Sequence, residues 1–214
     1  MTNDIEKRKT TELTENDVNP FTEFSTIVGG RTIRGQLLKF SKGDWLCGPD
    51  EEQLPLGTKL VANMNELIHG WIRWKDNRPD RQHMGYIKDA YRPATRVMLG
   101  DVDENEWEVD SSGKPRDPWQ LTYYMIMKPP GVDGREEENI MTFATNSRGG
   151  QSCVGSLCRE YGKMMRTKLT EFPIVELGSD QYKHPNAEYG RIKVPTMKIV
   201  GWEDMETFAT TTSS

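Results

Sequence analysis

Cysteine and histidine are scarce in this chain, three of each in 214 residues. Cys47, Cys153 and Cys158 form an odd set without metal-ligand spacing, and His69, His83 and His184 are scattered. A disulfide framework and a Cys/His zinc module are thereby excluded, and a reduced, cytoplasmic setting is expected. No apolar run reaches the roughly 18 residues of a membrane span. Met1-Thr2-Asn3-Asp4 does not open a signal peptide. Catalytic patterns are missing too. There is no Gly-x-Ser-x-Gly, no His-Glu-x-x-His, no Walker A loop and no Gly-x-Gly-x-x-Gly. Neither an enzyme nor a bound metal or cofactor is expected, and there is no internal repeat.

Polarity and aromatics are present. Charged residues make up 29% and hydrophobic residues 35%, yet six Trp, seven Tyr and six Phe can fill a modest core. The net charge of −5 is unevenly spread. Residues 1–18 carry −2 and 203–214 carry −3, so the stretch between them is neutral. Within that stretch 100–138 carries −7, which leaves +7 on the remainder and allows a basic face. Residues 1–18 and 203–214 read as disordered polar tails around one β-rich domain, 19–202.

Short β-prone runs dominate that domain. Gln36–Phe40, Asp44–Cys47, Leu60–Met64, Leu67–Lys75 and Met84–Ile87 are candidate strands, with a hairpin expected around Asn63–Glu66. Residues 89–118 are irregular, and a loop of that length is usually functional or mobile. Trp119–Lys128 is the strongest strand, ended by Pro129-Pro130-Gly131, and 140–145 is expected to return beside it. Phe172–Leu177 and Arg191–Trp202 follow, with Pro195 confining the last to an edge, a bulge or two pieces. The expected fold is mainly β (α+β): a small antiparallel barrel of the oligonucleotide-binding kind, with one amphipathic helix and added hairpins and loops.

The helix follows Ile140–Thr145. Cys153, Val154, Leu157, Cys158, Tyr161, Met164 and Met165 fall at helical spacing on one face. Asn146, Ser147 and Ser152 are each able to cap it. Asn146–Gly150 reads as a glycine-bearing turn whose free N–H groups and Arg148 could take a phosphate. The alternative is a sharp connection and nothing more.

Three further groupings stand out. His69-Gly70-Trp71-Ile72-Arg73-Trp74-Lys75 interleaves aromatic and basic residues. On a strand Trp71 and Arg73 share one face, so a base could stack beside a cation that holds its phosphate. Core placement of both indoles is the competing reading. Tyr182, Lys183, Tyr189, Arg191 and Lys193 bracket a loop before the last strand, either as a second clamp or as an ordinary hairpin. Asp101 to Asp110 begins like a calcium loop, but Glu106 stands where the glycine belongs and Ser112 where the bidentate glutamate belongs. It reads as a solvated acidic loop.

Trp119–Thr122, Thr142–Gly150 and Gly190–Pro195 resemble stretches of uncharacterised bacteriophage and prophage proteins, and through them phage single-stranded DNA-binding proteins. The resemblance implies a bacterial host cytoplasm and a role in replication or recombination. It also implies an acidic tail, here Glu203–Phe208, that recruits replication or host proteins. The expected function is therefore non-catalytic single-stranded DNA binding, with Trp71, Arg73, Trp74, Lys75, Arg148, Tyr182, Lys183, Tyr189, Arg191 and Lys193 as contacts. Self-association is left open. The alternative is an adaptor or inhibitor that binds a host protein through the acidic 100–138 region.

Overall fold

The computed structural model describes residues 33–76, 78–109, 113–134, 136–183, 185–186 and 190–208. The amino-terminal tail expected at 1–18 lies outside them. Ten strands and one α-helix are found among the described residues: β1 (Gln36–Ser41), β2 (Asp44–Cys47), β3 (Glu52–Leu54), β4 (Lys59–Ala62), β5 (Ile68–Lys75), β6 (Arg78–Tyr86), β7 (Trp119–Lys128), β8 (Met141–Thr145), α1 (Arg148–Met164), β9 (Glu171–Lys183) and β10 (Arg191–Asp204). No described helix is long and apolar enough to cross a membrane.

The path through the sheet is β10-β9-β4-β7-β8-β1-β2-β3, and the β5–β6 hairpin branches from β7. Strand β7 is the hub. One edge pairs with β8, and the other is divided between β5, at Trp119–Tyr124, and β4, at Met127 and Lys128. The hairpin expected around Asn63–Glu66 is therefore not formed. Asn63 instead caps a short 3₁₀ turn, Met64–Glu66, its side chain accepting from the Asn65 and Glu66 N–H groups. That turn passes the chain from β4 to β5 along the same edge of β7.

The expectation of a purely antiparallel barrel needs correction. Gln36–Leu38 of β1 run parallel to Met141–Phe143 of β8, so the sheet is mixed. A parallel pair requires a long crossover, and strands β2 to β7 supply it. The ladder does not close, because β3 and β10 end the path unpaired with each other. The sheet does curl far enough for Trp45 of β2 to reach β9, where its Nε1 donates to the Gly178 carbonyl at 2.9 Å. That indole is fully buried and meets Phe40 and Phe143 at centroid distances of 5.3 and 5.2 Å.

Helix α1 begins at Arg148, inside the stretch read as a glycine-bearing turn, and of the three candidate caps it uses Ser147: the hydroxyl accepts from the Gly150 N–H at 3.1 Å. Val154, Leu157 and Tyr161 enter the core, while Met164 and Met165, expected on that stripe, are exposed. The glycines thus sit inside the first helical turn. A Cβ at Gly150 would collide with Thr145 Oγ1, and one at Gly149 would lie 2.7 Å from Val194 Cγ1. Their smallness seats the helix against β8 and β10.

Strand β10 is an edge strand, one of the outcomes Pro195 allowed, and it carries a bulge between Ile199 and Gly201. It also runs further than expected. Glu203 and Asp204 pair with Phe172 and Glu171, and Phe208 of the following 3₁₀ turn is buried against Phe172. Residues 203–208 therefore belong to the folded part and not to a tail. The reason is Lys128, the last residue of β7, whose side chain is fully buried. It pairs with the Glu203 carboxylate, donates to the Val132 carbonyl at 2.5 Å and lies 5.1 Å from the Phe208 ring centre. Glu203 also accepts from the Gly131 N–H at 2.8 Å.

Breaking a buried pair from one side leaves an uncompensated charge. Glu203→Gln is expected to cost roughly 3–5 kcal/mol in urea unfolding, and Lys128→Met combined with Glu203→Gln clearly less. A loss in the double variant equal to the sum of the losses from Glu203→Gln and Lys128→Met made singly would show that the pair carries no coupling.

Candidate nucleic-acid interface

Strand β5 turns His69, Trp71 and Arg73 to one face, as alternation requires. Each grips the irregular segment between β6 and β7. His69 Nε2 donates to the Tyr91 carbonyl at 3.0 Å and Trp71 Nε1 to the Ala94 carbonyl at 2.8 Å. Arg73 meets Asp101 through two bonds, 3.0 Å from Nε and 3.2 Å from Nη2, and its Nη1 bonds to Asp80. Trp119, opposite Arg73 on β7, donates to Asp101 Oδ2 at 2.9 Å.

The segment is also braced from within. The Arg96 guanidinium clasps Asp117 from Nε at 2.7 Å and Nη2 at 2.8 Å, and donates to the carbonyls of Gly100 at 2.6 Å and Asp101 at 2.8 Å. Trp107 Nε1 adds a bond to the Asp101 carbonyl at 2.8 Å. Asp101 itself adopts a left-handed backbone, φ 51°, a strained conformation that such anchoring can hold. The hydrogen bond from Arg73, then that from Trp119, holds its carboxyl below the usual range, and Arg73 is raised in return. The loop that resembled a calcium site spends its carboxylates here. Asp101 serves Arg73 and Trp119, and Asp103 caps a turn by accepting from the Asn105 N–H at 3.0 Å. Among the described residues no three His, Cys, Asp or Glu side chains gather as a metal site.

The first predicted contact group is therefore largely spent on the protein itself. Trp71 is half-buried and tied, and Arg73 is neutralised by two carboxylates. Trp74 follows a bulge in the β5–β6 pairing and is half-buried, with an Nε1 that has no partner among the described residues. Lys75 alone of the four is exposed, at the hairpin end. Alternation correctly put Trp71 and Arg73 on one face but could not say what covers it.

The second group fares differently. A groove of about 400 Å³ lies between the first turns of α1 and the β9–β10 hairpin, and Arg148 and Tyr182 both line it. Its floor is Gly149, Val194, Pro195 and Met197, with Ser152, Cys153, Ser156 and Thr196. On the hairpin Tyr182 pairs with Ile192, Lys183 with Arg191 and Gln181 with Lys193. Arg148, Lys183, Arg191 and Lys193 are all exposed, and none makes an ion pair among the described residues. Tyr182 is 48% exposed. The Lys193 stem crosses the β1–β2 turn, where a Cβ at Gly43 would lie 2.7 Å from its Nζ. Asp180, an exposed carboxylate of the same hairpin, accepts at Oδ1 from the Gln181 N–H at 2.7 Å. Tyr189 lies outside the described residues.

The groove floor escaped the sequence reading. Its residues read as a helix start and an edge strand, and only the pair Gly149-Gly150 signalled a close approach. The exposed thiol chemistry that a cysteine-lined groove might suggest is absent: Cys153 is buried, and that burial pushes its thiol up to about 12.

The Asp101 anchor sets an acid-dependent property of the 87–118 segment. A depressed carboxyl contributes its stabilisation fully above the unfolded-state value, about 3.9, and loses it as pH falls through the lower folded value. Hydrogen exchange of the segment's amides, read against those of β7, should hold steady down to about pH 4 and accelerate below it. Asp101→Asn should accelerate it already at neutral pH, and unchanged protection in that variant would exclude the anchor. Comparison with protein-family models, with curated proteins and with solved structures finds no match to this chain.

Proposed function

We propose that the chain binds single-stranded nucleic acid, without catalysis, in the groove between α1 and the β9–β10 hairpin. One observation supports the reading: Arg148 and Tyr182, far apart in sequence, both line that groove, and the hairpin beside it carries exposed Lys183, Arg191 and Lys193, none in an ion pair among the described residues. A half-exposed tyrosine offers a ring for a base, and exposed cations on the same hairpin offer phosphate partners. A flexible strand can lay one base on Tyr182 while its backbone follows the hairpin. The role envisaged is in a phage-type replication or recombination system in the cytoplasm of a bacterial host. The likeness to small oligonucleotide-binding barrels is proposed as one of strategy, a curved sheet supporting a strand-lined groove, and does not require ladder closure.

A second reading has its own observation. Residues 91–107 are tied down by side-chain anchors yet leave Val97 and Met98 each 76% exposed. A rigid loop with bare apolar tips suits the adaptor or inhibitor alternative, in which it meets a host protein.

Fluorescence polarisation of labelled oligo-dT tests the first reading. Four phosphates neutralised would give a log–log salt slope of about −3, at roughly −0.7 per phosphate for a single strand. Tyr182→Ala should lose about 1–3 kcal/mol of binding. Arg191→Glu with Lys193→Glu should abolish it at moderate salt, whereas Arg73→Gln should leave the contacts in place. No binding of oligo-dT at low salt would end the proposal.

A further inference from the structure

A separate cavity of about 180 Å³ opens where the end of β5 meets the anchored segment. Trp74 and Trp107, both half-buried, line it together with five carboxylates and three cations. Pairing sorts those charges. Arg73 is neutralised by Asp101 and Asp80, and Asp117 is clasped by Arg96. Asp103, Glu106 and Glu108 remain, all exposed, and the Glu106 carboxylate has no partner among the described residues. Lys75 and Arg116 stand against them, and Arg116 Nη2 already donates to the Gln120 side-chain oxygen at 2.8 Å. Three carboxylates against two cations leave the lining at −1.

The face of an indole is negative, so rings beside carboxylates suit a cation. Trp107 already serves one. The Arg96 guanidinium carbon lies 5.8 Å from its ring centre, while Nε and Nη2 of the same group bond to Asp117. A guanidinium shared between an indole and a carboxylate is thus built into the wall of the cavity. The walls are also set before any ligand arrives. Trp107 Nε1 donates to the Asp101 carbonyl, and the Trp74 backbone N–H to the Pro118 carbonyl, each at 2.8 Å. Such preorganisation lowers the ordering cost of binding.

We infer that this cavity binds a guanidinium group, carried by a small guanidino compound or by an arginine side chain of a partner protein. The indoles of Trp74 and Trp107 supply the aromatic surface, and Glu106 supplies the carboxylate for its N–H groups. A guanidinium fits better than an ammonium because it is planar, more weakly hydrated and stacks on aromatic faces. None of the residues lining this cavity lines the α1 groove, so the inference stands apart from the nucleic-acid reading.

Titration of the ¹⁵N-labelled full chain with N-acetylarginine amide at low salt, followed at the indole N–H resonances of Trp74 and Trp107, tests it. Both resonances should shift saturably, and added salt should weaken the binding. The citrulline analogue has the same shape without the charge and should leave both in place. Glu106→Gln should weaken binding about tenfold or more, the worth of one hydrogen bond to a charged group. Trp107→Leu should weaken it about two- to thirtyfold, the range of one cation–π contact. Glu106 is exposed and its side chain holds nothing in the fold, so its variant reads the site even if Trp107→Leu loosens the segment. A capped pentapeptide with one arginine between glycines is titrated in parallel. Tighter binding of the peptide assigns the group to a partner protein, and equal binding assigns it to a small compound. No saturable shift with either probe would overturn the inference, as would an equal response to the citrulline analogue or unchanged binding by Glu106→Gln.

Discussion

Strand β7 has one edge that two strands must share. β5 takes the first half and β4 the last two residues, and neither can extend without displacing the other. That division splits the sheet into two arms. The β4 arm carries β9 and β10, with α1 laid along β10. The β5 arm carries β6 and the long irregular segment. The groove and the exposed hairpin cations belong to the first arm and the anchored acidic loop to the second. The separation of charge along the chain thereby becomes a separation in space between elements.

Paired and unpaired charge then decides what each arm can offer. Arg73 and Arg96 are engaged by Asp101, Asp80 and Asp117, so these cations work as structural ties. Lys128 is more extreme, a fully buried cation that draws Glu203 and the residues after it into the fold. A guanidinium held by a carboxylate in two bonds gains nothing by turning to phosphate, because it would abandon one charge-assisted pair for another. Among the described residues the hairpin cations face no such competition. A count of basic residues cannot distinguish the two sets, whereas their partners can.

Strands with clear alternation or β-branched and aromatic enrichment were legible: β1, β2, β7, β8 and the start of β9 lie where such runs occur. The edge placement of β10 followed from Pro195, which cannot donate to a ladder. Long-range pairing was not legible. The parallel β1–β8 contact, the sharing of β7 and the indole bond from Trp45 to β9 join residues that no local pattern connects. The sequence left the helix start open among three caps and read Arg148–Gly150 as a turn, because Gly149 and Gly150 look like breakers in isolation. Their reason for being small, contact with Val194 and Thr145, lies in other strands.

The candidate site divides in the same way. Sequence by itself determined that Trp71 and Arg73 share a face, that Tyr182, Lys183, Arg191 and Lys193 flank one turn, and that the acids concentrate in 100–138, because period and composition are local properties of a chain. Tertiary structure alone decided that the first pair lies under the chain's own loop and that Arg148 comes to Tyr182 across a groove. Exposure and charge neutralisation depend on which distant segment arrives beside a residue, and the packing of the whole sheet settles that.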